Sequence, residues 1–272
     1  MICAAALMLG CGNETARSPS PEGFRWPDRF AYRFEYVSET QRGGQPLFRY
    51  DERRTIRFTV REDRFLVWQD SVIKVTTAPG RPATREPYWP EDTLQFYVKL
   101  GRLGELSNSE PGCDPALPAC ADALPSSLPL QLRPLIPRLP VWPAPARATW
   151  SDSLPFDDLP RSRGSRGYLV TTYRSAGDTL VGSRRYWVVR WASVRYAFRN
   201  GGGGLGIAGD PPVREEGVVF VDKERQVPVY SAWAGALAAP PELRSMGVTG
   251  TGFRGRAYVP GSAFDPGASS EP

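Results

Sequence analysis

A chain of 272 residues with 41% hydrophobic side chains, 8 Trp, 11 Tyr and 12 Phe has enough apolar material for a substantial core, which excludes global disorder. The 28 Pro and 27 Gly exclude long helices, since each internal Pro costs a helix about 3 kcal/mol, and favour short strands joined by turns. The net charge of +5 is almost wholly arginine, Lys74, Lys99 and Lys223 being the only lysines; Arg53, Arg54, Arg57, Arg61 and Arg64 are interleaved with Glu52, Glu62 and Asp63, not massed into the basic block of a nucleic-acid arm, so no nucleic-acid partner is expected.

Met1 to Cys11 (MICAAALMLGC) is an apolar run that stops at Gly12-Asn13-Glu14. It is too short for a bilayer span, which needs about 20 helical residues. Its length and small-residue end predict the apolar region of a signal peptide, residues 1–11. Leu7-Met8-Leu9-Gly10-Cys11 resembles the lipobox of bacterial lipoproteins. That resemblance implies cleavage before Cys11 and lipid on its thiol, which would anchor an exported chain to a membrane of the cell envelope. Residues 12–27 then read as a tether, Thr15 to Glu22 (TARSPSPE) being polar and rich in Pro and Ser. Cys113 and Cys120 flank Asp114 to Ala119 in a turn-rich stretch, and an oxidising compartment predicts a disulfide between them.

Strand signals begin near Arg29. Phe30, Tyr32, Phe34 and Tyr36 alternate with Ala31, Arg33, Glu35 and Val37, a period of two with one aromatic face. A turn at Gln41 to Gln45 and a returning run from Phe48 to Val60 complete a hairpin. Phe65–Trp68 and Val72–Val75 read as a tighter pair around Gln69-Asp70-Ser71. Residues 79–90 read as loop, before Leu94, Phe96 and Val98 alternate again. Residues 103–145 form a Pro-rich insertion in which Leu128, Leu130, Leu132, Leu135, Ile136 and Leu139 predict one or two short helices against the sheet. A second β block follows from Trp150: Gly167 to Tyr173, a turn at Ser175–Asp178, Thr179 to Phe198, Gly217 to Val221, Val227 to Trp233 and Val248 to Val259. The expected architecture is mainly β, one antiparallel domain over 28–260, with a disordered tail at 261–272.

Motifs that carry chemistry are scarce. Gly204 to Gly209 satisfies G-x-G-x-x-G, but Asp210-Pro211-Pro212 follows it and leaves no helix for a pyrophosphate. The chain has no His, which removes Ser-His and Cys-His catalysis and leaves two thiols short of a zinc tetrahedron. Lys74, Lys99 and Lys223 read as surface charges. Asp157-Asp158 and Glu215-Glu216 are adjacent in strands and point to opposite faces, unlike the facing carboxylates of a glycosidase. Asp152, Asp157 and Asp158 lack the Gly-containing spacing of a calcium loop. No catalytic residue, metal or cofactor is expected. The stripe Phe30, Tyr32, Phe34, Tyr36 has two readings: a sheet face packed as core, or an apolar face that accepts a greasy ligand.

The order of elements, with Leu139-Pro140-Val141, then Trp150, then hairpins ending at Val219–Lys223, resembles bacterial envelope lipoproteins. More remotely it resembles the lipoprotein-carrier group. The resemblance implies an unclosed antiparallel half-barrel covered by helices and a lipid or lipoprotein cargo. The leading expectation is therefore a membrane-anchored binding protein for an apolar or lipid-like ligand, without catalysis. The alternative is a structural or assembly protein that meets partner proteins through sheet edges or an Arg-rich face.

Overall fold

The alternation of ring and charge in β1 (Arg29–Arg42) gives the strand one apolar side, and its neighbours carry the same pattern across the sheet. The computed structural model describes residues 23–85, 95–106, 110–111, 131–158, 165–199, 212–239 and 241–267. The other strands among the described residues are β2 (Gln45–Arg61), β3 (Arg64–Thr77), β4 (Thr84–Arg85), β5 (Gln95–Val98), β6 (Glu110–Pro111), β7 (Thr149–Asp158), β8 (Ser165–Val181), β9 (Arg184–Arg199), β10 (Val213–Asp222), β11 (Val227–Ala238) and β12 (Val248–Tyr258), and a helical turn, α1, spans Pro241–Ser245. They form a single antiparallel sheet in the order β6-β5-β3-β2-β1-β12-β11-β10-β9-β8-β7, with β4 beside β3. β6 and β7 end the path and do not pair with each other, so the sheet is not closed into a barrel. The expected mainly β, unclosed architecture is what the chain adopts.

Two meanders meet in the middle. β1, β2, β3, β5 and β6 build one, β7 to β12 the other, and β1 pairs with β12 to join them. The tight turns follow from local chemistry. Gly43 and Gly44 both hold positive φ (56° and 77°), the requirement of a two-residue hairpin turn that matches strand twist. At the β10–β11 turn the Asp222 carboxylate accepts the Glu224 and Arg225 N–H groups, each at 2.9 Å.

One face of the sheet, the inner face, carries Tyr32, Ile56, Phe58, Val67, Val189, Val219 and Ala257. It is covered by residues 131–145, which bring down Leu132, Leu135, Ile136 and Leu139, all essentially without solvent exposure. Burial of each such side chain stabilises by roughly 1.5–3 kcal/mol. Polar bonds fix this covering segment from both sides. Ser231 Oγ donates to the Pro134 carbonyl and Trp150 Nε1 to the Arg138 carbonyl, each at 2.5 Å. Arg133, itself buried, pairs with Asp152 at 2.8 Å and donates to the Gly104 carbonyl.

Four sequence expectations need correction. Residues 23–27 are not tether: Phe24 is buried in the core with its N–H on the Arg102 carbonyl, and Trp26 packs against the same cluster while its Nε1 donates to the Gly101 carbonyl, because both rings find apolar partners there. Gln69-Asp70-Ser71 is not a turn: β3 runs straight through it, and a bulge opposite Arg53–Thr55, with Ser71 at φ 54°, absorbs the irregularity. Ser175–Asp178 is likewise a bulge inside β8, with Gly177 at φ 89°, and the true reversal comes at Gly182. Residues 261–267 are not a loose tail. Phe264 stacks on Tyr230 at 4.6 Å and meets Phe220 and Tyr186, and the Asp265 carboxylate accepts the Gly261 and Gly267 N–H groups. This C-terminal stretch seals a small second cluster on the outer face. Of the insertion, residues 131–145 lie against the sheet, and only Gln131 and Leu132 are helical there; residues 112–130 lie outside the described residues.

Candidate ligand-binding depression on the inner face

The aromatic stripe of β1 divides along its length. Phe30 stacks face to face on Phe58 at 4.3 Å and beside Trp26. Tyr32 is 2% exposed, its hydroxyl donates to the Pro228 carbonyl at 2.8 Å, and burial pushes its ionisation far above the ordinary tyrosine range. Phe34 is 6% exposed, with the Arg54 guanidinium 4.2 Å above its ring. Tyr36 is only half-buried and meets Phe253 and Tyr50 at its edges. Tyr32 is thus ordinary core, whereas Phe34 and Tyr36 reach the border of an open depression.

Cross-strand register builds that border. Trp191 faces Gly217, Gly217 faces Trp233, Trp233 faces Gly255, and Gly255 faces Tyr36. A Cβ on Gly217 would lie 2.7 Å from the Trp191 indole, and one on Gly255 would run into the Trp233 indole. On the next row Gly235 stands beneath the Phe253 ring in the same way. Each glycine leaves the floor on which a neighbouring ring lies flat, the close approach that interior strand glycines often mark.

The resulting depression has a volume of about 250 Å³. Phe34, Tyr36, Trp233, Leu237 and Phe253 supply its apolar wall, Pro134 and Gln131 close the side toward the covering segment, and Arg195, Glu215 and Thr251 add polar groups. Burial pushes the Glu215 carboxyl above the usual range, and the nearby Arg195 charge and Ser193 hydroxyl pull it only partly back. The volume is below the roughly 300–1,000 Å³ of a pocket that encloses a drug-sized molecule. It suits the end of an alkyl chain or one ring, with the polar remainder at the rim.

Other candidates are dispersed. Lys99 is held by Asp63 and Lys223 by Asp178, each at 2.5 Å at the surface. Asp152 is occupied by Arg133. Glu215 and Glu216 point to opposite faces, as adjacent strand residues must. Among the described residues no group of three or more potential ligands gathers to hold a metal ion, and no helix is long and apolar enough to cross a membrane. Cys11, Cys113, Cys120 and Gly204 to Gly209 lie outside the described residues. Sequence reasoning missed Trp233 and Phe253, and weighed Glu215 only as half of a carboxylate pair, because their convergence depends on cross-strand register. The only local signal was the unusual placing of Gly217, Gly235 and Gly255 inside strands.

No family model matches the chain, and no curated protein matches it. A solved structure described as "Lipid-protein interactions in lipovitellin" is similar at a TM-score of 0.38 and 10% identity. The match covers 90% of this chain and 26% of that one, so the chain spans about a quarter of that protein's length. A score at that level carries no argument about ligand or activity.

Proposed function

We propose that this chain is an exported, membrane-anchored protein of the cell envelope that binds an apolar or lipid-like ligand and catalyses no reaction. The observation that carries the reading is the open aromatic depression beside the covered core, walled by Tyr36, Trp233 and Phe253. An unclosed sheet with a partly covered inner face is in keeping with the resemblance to lipoprotein carriers. Anchoring rests on Cys11, which ends the apolar run and precedes the tether.

Two measurements test the reading. Wild type should take up a fluorescent fatty acid, and Tyr36→Asp or Phe253→Asp should lose that uptake while melting close to wild type, because both rings are partly exposed. A wild type that takes up no probe ends the ligand reading. Cys11→Ser should move the protein from the membrane fraction to the soluble fraction; unchanged partitioning would remove the anchor. The second reading, an assembly role, is favoured by one patch: Tyr168, Val170 and Tyr196 on the outer face, 53%, 39% and 42% exposed, beside the terminal strand β7. If Tyr168→Lys with Tyr196→Lys left every cross-linked envelope complex intact, that role would have no support.

A further inference from the structure

The outer face carries a second depression, of about 500 Å³, centred on β1 and flanked by β2 and β12. Register places its groups. Glu35 stands between Arg53 and Arg256, and Val37 stands between Asp51 and Arg254. Arg49 lies on the same side, one cross-strand pair further along β2. Val37 and Ala232 contribute small side chains to the lining, so the space between the arginine side chains stays open.

The carboxylates there are already engaged. Asp51 takes both ends of the Arg49 fork, each contact 2.8 Å. Glu35 receives Nε and Nη2 of Arg256 at 2.9 and 2.7 Å, and the Tyr258 hydroxyl on its other oxygen. Among the described residues Arg53 and Arg254 have neither a hydrogen-bonded nor an ion-paired partner, and both side chains are exposed. Four guanidiniums therefore line a cavity with three carboxylates: Glu35 and Asp51, engaged as above, and Glu52, which pairs with Arg54, while Arg53 and Arg254 feel Asp51 only at longer range. A planar fork of donors matches phosphate oxygens in pairs, which a lysine ammonium does not.

We infer that this outer-face depression is a binding site for a phosphate group, with Arg53 and Arg254 as its direct ligands and Arg49 and Arg256 held in place beside them. Two unpaired guanidiniums balance one phosphate monoester dianion or two phosphodiester groups. A lipid headgroup and a soluble phosphate present the same chemistry. The site is on the opposite face from the aromatic depression and stands or falls separately from the ligand reading above.

The test uses full-length Cys11→Ser protein, so that no acyl chain contributes. Binding of inorganic pyrophosphate is measured by calorimetry, and binding to vesicles of phosphatidylglycerol or of phosphatidylcholine by flotation. The expected result is binding to pyrophosphate, to phosphatidylglycerol vesicles, or to both, and none to phosphatidylcholine. Pyrophosphate alone identifies a soluble phosphate and vesicles alone a headgroup. Arg53→Gln with Arg254→Gln should weaken binding by roughly tenfold or more, as loss of charged hydrogen bonds does. Arg174→Gln with Arg190→Gln, an exposed cross-strand pair elsewhere on the same face, should leave it unchanged. Absence of binding to both probes, wild-type affinity in the first double variant, or an equal loss in the second would each overturn the assignment. Should the first double variant melt early, Arg254→Gln alone decides by the same comparison.

Discussion

The inner face of the sheet is one surface with two fates. Beneath residues 131–145, Ile56, Phe58, Val189 and Val219 have essentially no exposure and pack as a protein interior. Toward the other end of the same face, Tyr36 on β1, Phe253 on β12 and Glu215 on β10 remain partly open around a cavity. Both regions carry the same alternation of inward and outward side chains. What separates them, among the described residues, is coverage by Leu132, Leu135, Ile136 and Leu139. Closed and open parts of the face are therefore not different kinds of strand here; among the described residues, a segment far away in sequence makes the difference.

That comparison is broken most severely at Tyr32. Tyr32→Asp places a carboxylate against Phe30 and Phe58 and strands the Pro228 carbonyl, so it should cost several kcal/mol, about 4 or more, and leave little folded protein. Thermal unfolding of Tyr32→Asp beside Tyr36→Asp reads the contrast directly. Equal melting of the two would mean that the faces are not divided as described.

The middle of the scale is a glycine. Gly255→Val forces the Trp233 indole off its floor, and overpacking of this kind costs about 1–3 kcal/mol. Denaturant unfolding should show that loss, whereas Gly252→Val, at a position with open space around it, should not.

The smallest effect sharpens the electrostatic side of the open end. The Glu215 carboxyl has a folded-state pKa above its unfolded one, because burial disfavours its charge. Folded protein then holds the proton more tightly, so stability falls as pH rises from the unfolded value through the raised one. Glu215→Gln removes the ionisation and should melt slightly higher than wild type at neutral pH. The difference should shrink as pH falls below the unfolded value. A variant that melts lower at neutral pH would show that the charge is stabilising there.

Much of this was legible in the sequence. The period of two in Phe30, Tyr32, Phe34 and Tyr36 gave the correct strand and the correct face, because side-chain direction in a strand is local geometry. The two bulges were misread as turns, since Asp-Ser and Ala-Gly-Asp favour a positive φ or a kink without saying whether the chain reverses afterwards. Phe264 was taken for a tail residue because its neighbours are polar; only the cross-strand meeting of Phe220 and Tyr230 gives it a place to pack. The arginines of the outer depression looked evenly mixed with acids along the chain. Pairing in the sheet, which brings Arg256 onto Glu35 from 221 residues away, is invisible in one dimension, whereas Asp51 takes Arg49 from its own strand.

The pairing of β1 with β12 governs the order of assembly. Arg256 reaches back across 221 residues to Glu35, and the last strand supplies both ladders at the centre of the sheet, to β1 and to β11. Until β12 is in place the two meanders are separate ribbons, each with a bare long edge, β1 on one side and β11 on the other. Such edges are ready templates for wrong partners. Closure between residues so distant in sequence is slow, since the entropy of a long loop must be met before any bond forms. A chain emerging N-terminus first would therefore carry β1 as an open edge throughout its synthesis and close the sheet only with the arrival of β12.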